Sequence, residues 1–202
     1  MKIGIYGGSF NPIHNGHVHL IQEFSERLSL DLLLLIPTFV PPHKEGNEMA
    51  SPLHRFEMCK LATEKIGDVE IIVSKVEIDR GGASYTADTL KALRKLYPTD
   101  EFYLLMGEDM FLTLDKWRSP DILFKEAIIG VAPRSMGNLE EIFECKNRLE
   151  QIYQARIRVE QIPYYDMSST EIRKALKKGL SCKAFLLGIV EKYIQKNNVY
   201  EE

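Results

Sequence analysis

Short apolar runs alternate along the chain with longer segments in which apolar residues recur every three or four positions. The runs have the length of buried β-strands, and the recurring positions are typical of amphipathic helices. Six strands are predicted in this way, at residues 2–6, 30–36, 69–78, 102–106, 127–132 and 157–162. Alternation of such strands with helices predicts an α/β fold, with a doubly wound, mostly parallel sheet covered by helices on both faces.

Capping and stop signals bound the predicted helices. Ser51 followed by Pro52 is typical of an N-cap with proline in the first turn, and predicts a helix over 51–66. Ser168 and Glu171 have the spacing of a capping box, S-x-x-E, at the start of another helix. Further helices are predicted from residue 16, over 86–96, after 119–120, over 139–153 and over 184–194.

Composition narrows the class of protein. The 202 residues include 26 Lys and Arg against 29 Asp and Glu, which gives a formal net charge of −3. This balance argues against a dedicated nucleic-acid-binding protein, which usually carries a basic patch. The length suits a single domain over 1–202 whose C-terminal part, about 168–202, is a helical tail.

Neither a membrane anchor nor an export signal is recognisable. The longest apolar run, 32–36, is far shorter than the roughly 18 residues of a membrane helix. The chain begins with a strand that is too short for the apolar region of a signal peptide. Cys59, Cys145 and Cys182 are far apart, so they predict neither a disulfide framework nor a CxxC metal pair. We therefore expect a cytoplasmic globular protein that does not bind membranes.

The unusual polar and glycine-rich segments all follow predicted strands or open predicted helices. In an open parallel sheet, ligands bind outside the carboxyl ends of the strands. The segments at that edge are GGSFNPIHNGH at 7–17, PPHK at 41–44, GGASYT at 81–86, GED at 107–109 and MSSTEIR at 167–173. A ligand site is therefore predicted there.

The first of these segments has two histidines at the start of a helix. The two common nucleotide motifs, G-x-G-x-x-G and G-K-[ST], are absent. His14 and His17 are three residues apart and project to one side, where free backbone N–H groups and the helix dipole favour an anion. Gly7 and Gly8 permit close approach of a substrate. We therefore favour a phosphate site in this segment. The alternatives are that a histidine belongs to the core, that the two glycines only form a turn, or that the histidines bind zinc. A zinc site would need His19, which points elsewhere on the helix.

The last segment offers a similar arrangement. The hydroxyl and backbone N–H groups of 168–170 open a helix and can hold a phosphate, and Arg173 lies one turn further on to bind it. A simple cap with a solvated Arg173 is the alternative, and both can hold together. Lys44 is a candidate mobile cation and Trp117 a candidate stacking ring, although loop lysines are commonly solvated and tryptophans commonly belong to the core.

Two of the segments resemble known signatures. GGSFNPIHNGH resembles the (H/T)-x-G-H signature of nucleotidyltransferases, and SSTEIR at 168–173 resembles their second signature, S-S-T-x-I-R. With PPHK, GED and SYTADTL at 84–90, the chain is similar to the bacterial nicotinate mononucleotide adenylyltransferases over about its first 177 residues. This resemblance implies a Rossmann-like nucleotidyltransferase fold and an enzyme of NAD biosynthesis.

The resemblance also implies a reaction and the residues that carry it. The 5′-phosphate of nicotinate mononucleotide attacks the α-phosphate of ATP, giving nicotinate adenine dinucleotide and pyrophosphate, with Mg²⁺ bound through the ATP phosphates and no metal site on the protein. The implied catalytic residues are His14, His17 and Arg173. The residues implied in ATP binding are Gly8, Ser9, Phe10, Gly107, Asp109, Ser169 and Thr170. Those implied in nicotinate mononucleotide binding are Lys44, Tyr85, Thr86 and Trp117.

Three positions depart from the pattern of this family. Asn11 stands where many members have Asp, Arg118 stands where an aromatic residue is common, and Glu108 replaces a small residue. The alternatives are the same fold with another acceptor (nicotinamide mononucleotide or a pantetheine phosphate) and a non-catalytic nucleotide-binding protein. Assembly into a homo-oligomer also stays open.

Overall fold

A computed structural model describes residues 1–41, 49–64, 66–67, 69–134, 139–165 and 167–200. The strands of this part of the chain are β1 (Lys2–Gly8), β2 (Leu32–Pro37), β3 (Glu70–Val73), β4 (Glu101–Gly107), β5 (Ala127–Ala132) and β6 (Ile157–Val159). They form one six-stranded sheet in the order β3-β2-β1-β4-β5-β6, and each neighbouring pair is parallel. The predicted parallel α/β sheet is thus confirmed.

Helices cover both faces of the sheet. They are α1 (Asn15–Leu28), α2 (Pro52–Thr63), α3 (Val76–Arg80), α4 (Thr86–Leu96), α5 (Glu108–Phe111), α6 (Pro120–Glu126), α7 (Leu139–Tyr153), α8 (Ser169–Lys177) and α9 (Gly188–Lys196), with a 3₁₀ turn at Leu114–Lys116. One apolar cluster lies among α1, α2, α8, α9 and the sheet, and a second among α4, α6, α7 and the other sheet face. The fold is therefore doubly wound, and α8 and α9 form the predicted helical tail. None of the helices in these residues has the length and apolar character that crossing a membrane requires.

The sequence of β2 shows why it lies at the centre of the fold. All six of its residues are buried. Leu33 and Leu35 belong to the cluster with α1, whereas Leu32, Leu34 and Ile36 belong to the other cluster. Because successive side chains of a strand point to opposite faces, an unbroken apolar run is required for a strand buried on both sides.

The strand order places the ligand crevice. β1 pairs with β2 on one side and with β4 on the other, so the direction of winding reverses between β1 and β4. At such a switch point the loops at the carboxyl ends of the two strands diverge and leave a crevice. The loops after Gly8 and Gly107 border it.

Two predicted elements differ from the structure. The predicted strand at 69–78 is wrong beyond Val73, because Val76–Arg80 forms α3. Its alternating apolar and charged residues are typical of a strand, but the carboxylate of Glu77 is buried and accepts a hydrogen bond of 2.6 Å from Thr89 Oγ1. The predicted helix at 184–194 begins later, at Gly188. The other boundaries differ by a few residues, as is usual for element ends.

Candidate active site

The loop after β1 makes a tight turn that buries the side chain of Phe10. Phe10 has a left-handed backbone conformation, with φ of 43°. Its ring lies so close to Gly8 that a Cβ atom there would be 2.9 Å from Phe10 Cζ. Glycine is therefore required at position 8 by packing. The buried ring of Phe10 thus lies between Gly8 and the His17 ring at the start of α1.

The two histidines meet at the N-terminus of α1. His14 is the N-cap residue, and its backbone N–H donates to Nδ1 of His17 over 3.3 Å. The two rings stack, with centroids 3.7 Å apart, and the ring of Phe10 meets that of His17 edge-on at 5.1 Å. With Nδ1 as acceptor, the neutral ring of His17 carries its proton on Nε2. The predicted pairing of His14 and His17 on one side of the helix start is what the structure has.

Burial keeps His14 uncharged. His14 is only 8% exposed, and its Nδ1 has no hydrogen-bond partner within the described residues. Burial lowers the pKa of His14 from 6.5 to about 4, because the charged imidazolium is poorly solvated there. At neutral pH the ring is therefore a neutral hydrogen-bonding group beside the end of α1.

The backbone N–H groups that open α1 have different partners. The N–H of Asn15 donates to the carbonyl of Phe185 over 2.8 Å, and the N–H of His17 donates to the carbonyl of His14 over 2.9 Å. The N–H of Gly16 donates to Met167 Sδ over 3.3 Å. Because a thioether is a weak acceptor, an anionic oxygen in its place would form a much stronger bond. Gly16 is thus the amide of this turn best suited to an incoming phosphate.

The second signature lies directly against the first. Ser169 Oγ donates to the carbonyl of Pro12 over 3.0 Å, and a guanidinium N–H of Arg173 donates to the carbonyl of Asn11 over 2.8 Å. Thr170 Oγ1 lies 3.4 Å from another nitrogen of Arg173. The start of α8 and the loop before α1 therefore form one structure, as a shared phosphate site would need.

The N-cap bond of the predicted capping box at the start of α8 is present. Ser168 Oγ accepts from the backbone N–H of Glu171 over 3.2 Å and donates to the carboxylate of that residue over 3.1 Å. The first of these bonds satisfies one backbone N–H of the first turn, and the second joins the two side chains. Capping by Ser168 and phosphate binding by the residues after it are compatible, because they use different groups.

Arg55, which the sequence analysis did not single out, joins the loop after β1 to the segment between β2 and α2. This residue of α2 is fully buried, and its guanidinium donates to the carbonyls of Ser9, Phe39 and Ala50 over 2.9, 3.0 and 3.0 Å. Burial lowers the pKa of Arg55, but three carbonyl partners hold the charged form. A single arginine in a helix pattern gives no local sign of such a role.

The same chain of contacts continues to the loop before α4. The backbone N–H of Phe39 donates to Ser84 Oγ over 2.9 Å, and Val40 and Ala83 form an isolated β-bridge. A continuous series of hydrogen bonds therefore runs from Ser84 through Phe39 and Arg55 to Ser9. This linkage fixes the position of the loop at 81–86 relative to the histidine loop.

Two of the residues predicted for the mononucleotide, Tyr85 and Thr86, lie at the start of α4. Tyr85 is its N-cap residue, Thr86 its first residue, and the half-buried Trp117 packs against the apolar cluster that contains α4. The guanidinium of Arg118 lies over the Tyr85 ring, 4.5 Å from the centroid, and 3.7 Å from the carboxylate of Asp88. Arg118, one of the three positions expected to depart from the family pattern, therefore covers this ring. Lys44 lies outside the described residues.

On the other side of the crevice, Gly107 ends β4 and the two acids after it have different roles. Glu108 is buried, and its carboxylate accepts from the backbone N–H of Arg134 over 2.8 Å. Asp109 is half-exposed and forms an ion pair with the side chain of Arg134 over 2.7 Å. Both acids therefore contact the chain just after β5, Glu108 through the backbone of Arg134 and Asp109 through its side chain.

Among the residues that the structure describes, no group of three or more His, Cys, Asp or Glu side chains is arranged to hold a metal ion. His19, the third histidine of the alternative zinc site, instead makes a 2.8 Å hydrogen bond with the carbonyl of Pro163 and lies against the Tyr165 ring. It is therefore not part of the His14–His17 pair.

Comparisons with known proteins agree with this arrangement. A family model described as cytidylyltransferase-like matches residues 5–175. A relative from Dictyoglomus thermophilum, named a probable nicotinate-nucleotide adenylyltransferase, is 38% identical over 99% of this chain and 100% of its own length. This chain belongs to the nicotinate-nucleotide adenylyltransferase family. A family member from Clostridium tetani, with the same name, is 34% identical over 98% of both chains.

Solved structures confirm the fold of this adenylyltransferase. The nicotinic acid mononucleotide adenylyltransferase of Plasmodium falciparum, complexed with NaAD, superimposes with a TM-score of 0.81 at 22% identity, over 99% of this chain and 97% of the other. The same Plasmodium falciparum enzyme complexed with APC gives a TM-score of 0.79 at 22% identity, over 99% of this chain and 97% of the other. The adenylyltransferase fold therefore extends over essentially the whole chain.

Proposed function

We propose that this enzyme transfers the adenylyl group of ATP to the 5′-phosphate of nicotinate mononucleotide, forming nicotinate adenine dinucleotide and pyrophosphate in NAD biosynthesis. The observation that carries the proposal is the joining of two helix N-termini, those of α1 and α8, through the bonds from Arg173 to Asn11 and from Ser169 to Pro12. Each terminus suits an anion, and a nucleotide triphosphate presents several phosphates in a row. The names of the full-length relatives supply the acceptor.

Charge stabilisation explains the chemistry of these residues. Adenylyl transfer needs little covalent help from a protein, since positioning and electrostatic stabilisation carry most of the rate enhancement. The mononucleotide phosphate is already ionised at neutral pH, so no general base is required. Hydrogen bonds to the reacting α-phosphate come from His14, His17 and the N–H of Gly16. These bonds stabilise the negative charge on its oxygens in the transition state.

The leaving pyrophosphate is bound by the start of α8. Ser169 and Thr170 supply hydroxyl and backbone donors, and Arg173 supplies a cation that matches phosphate oxygens. Mg²⁺ on the ATP phosphates supplies further charge neutralisation, because this ion usually binds substrate phosphates and retains part of its water shell. Together these groups stabilise the negative charge that builds up on pyrophosphate as it leaves.

The remaining residues divide between the two nucleosides. Gly8, Ser9 and Phe10 border the phosphates and ribose through their backbone, while Gly107 and Asp109 border the adenosine. Tyr85, Thr86 and Trp117 bind the pyridine ring, with the N-terminus of α4 favouring the carboxylate of nicotinate. Lys44, which lies outside the described residues, is assigned to phosphate binding from the sequence alone.

The choice of acceptor provides the test. Purified protein is mixed with MgATP and, in separate reactions, nicotinate mononucleotide, nicotinamide mononucleotide or pantetheine phosphate, and pyrophosphate release is followed. We expect release with nicotinate mononucleotide at a kcat/KM at least tenfold above that with the amide, and a product with the mass of nicotinate adenine dinucleotide. Faster release with another acceptor would overturn the assigned substrate, and no release with any of them would overturn the enzymatic activity.

A further inference from the structure

The side chain of Asn11 connects the histidine loop to the far end of the chain. Asn11 is buried, and its Oδ1 accepts two hydrogen bonds, one of 3.0 Å from the backbone N–H of Ala50 and one of 2.7 Å from the hydroxyl of Tyr200. Tyr200 lies 189 residues further along the sequence. The segment after α9 therefore reaches the loop that presents the catalytic histidines.

Tyr200 is held in place for this contact. The preceding residue, Val199, is buried in the apolar cluster beneath α1 and α2, and its N–H donates to the carbonyl of Ile194 over 3.0 Å. Tyr200 itself has a positive φ of 81°, a conformation that a residue with a side chain rarely adopts. Burial raises the pKa of Tyr200, so the phenol stays protonated and acts as the donor.

The loop needs such support because its own conformation is unfavourable. Phe10 has a left-handed backbone, and strained residues persist only where surrounding contacts fix them. Arg55 fixes the carbonyl of Ser9, and Arg173 fixes the carbonyl of Asn11. Tyr200 adds a bond to the side chain of Asn11, three residues before His14.

We propose that Tyr200 is a positioning residue for adenylyl transfer: through its hydrogen bond to Asn11 it holds the loop that places His14 and His17 against the reacting phosphate. The segment after α9 is then part of the active site, although it contributes no group that touches substrate. The inference rests on the proposed function for its kinetic consequence, whereas its structural consequence at His14 can be measured without any reaction.

The kinetic test is the Tyr200→Phe variant, which removes one hydroxyl and keeps the ring. Loss of one buried hydrogen bond that acts on catalytic geometry should lower kcat about tenfold, equivalent to about 1.4 kcal/mol. The KM values should change less than about threefold, because the ATP-binding groups of α8 are retained. A role confined to stability would lower the melting temperature and leave kcat unchanged.

The chain offers a matched control in the same helical tail. Tyr193 of α9 makes a hydrogen bond of 2.9 Å with Nδ1 of His54, a residue of α2 rather than of the histidine loop. Tyr193→Phe should therefore lower the melting temperature by a similar amount and leave kcat within about twofold of the wild type. Equal effects of Tyr193→Phe and Tyr200→Phe on kcat would overturn the inference.

Substitutions at Asn11 complete the design. Asn11→Asp keeps an oxygen acceptor for both donors and should retain most of kcat, whereas Asn11→Leu removes the acceptor and should lower kcat at least as much as Tyr200→Phe does. Adding Tyr200→Phe to Asn11→Leu should cause little further loss, because the two changes remove the same bond. Multiplied losses in the double variant would contradict the proposal.

A spectroscopic readout separates this inference from the proposed function. The pKa of His14, about 4 in the intact loop, can be followed by NMR titration of the free protein. It should move upward in Tyr200→Phe, because a loosened loop admits water to the ring, and stay unchanged in Tyr193→Phe. An unchanged His14 pKa in Tyr200→Phe would overturn the inference, whether or not the wild type transfers an adenylyl group. Absence of adenylyl transfer by the wild type would overturn only the proposed function.

Discussion

Burial of His14 predicts a loss of stability in mild acid. Its pKa is about 4 in the folded protein against 6.5 for a free side chain, so between these values the unfolded chain binds more protons than the folded one. The free energy of unfolding therefore falls as pH is lowered through this window. From pH 7 to pH 5 these two pKa values give a loss of about 2 kcal/mol from this one group.

The variant that isolates this contribution is His14→Gln, whose side chain does not titrate. Urea unfolding, followed by the fluorescence of Trp117, is measured for both proteins at pH 8, 7 and 5. The wild type should lose about 2 kcal/mol more than the variant between pH 7 and pH 5, while the difference between the two proteins stays nearly constant from pH 8 to pH 7. Equal losses in the acid range would refute the account of His14 as a buried neutral ring.

Two other substitutions test how the loop is built. Arg55→Lys keeps the charge, but the lysine cannot bond to three carbonyls at once. The free energy of unfolding in urea should therefore fall by about 2–3 kcal/mol, and kcat/KM should be lower. An unchanged kcat/KM would contradict the role of Arg55 in holding Ser9. Gly8→Ala places a methyl group 2.9 Å from the Phe10 ring and should cost about 1–3 kcal/mol, whereas Gly7→Ala, where a Cβ has nothing within 4 Å, should cost less than about 0.5 kcal/mol. Equal costs at the two glycines would show that the Phe10 ring is not packed as described.

The parts of this protein that sequence predicts are those with local causes. An unbroken apolar run predicts a strand buried on both faces, as in β2, and a serine with glutamate three residues later predicts the start of α8. The pairing of His14 with His17 follows from helix geometry alone. Each of these signals lies within about ten residues, which is the range over which backbone preferences act.

The parts that sequence does not predict depend on distant partners. Val76–Arg80 alternates like a strand but is helical, and its Glu77 and Arg80 side chains both bond to Thr89, a residue of the next helix. Arg55 and Tyr200 have no local pattern, because their roles arise from loops that meet only in the folded chain. Met167 is likewise identified only by its contact with the N–H of Gly16.

The most direct test of the central claim is the effect of removing the His17 imidazole. Pyrophosphate release from MgATP and nicotinate mononucleotide is compared for the wild type and His17→Ala, and ATP affinity is measured in parallel by calorimetry. We expect kcat to fall at least a hundredfold with less than a tenfold change in ATP affinity, because the ring acts on charge that develops in the transition state. Turnover within a few-fold of the wild type would contradict the assignment of this loop as the catalytic site.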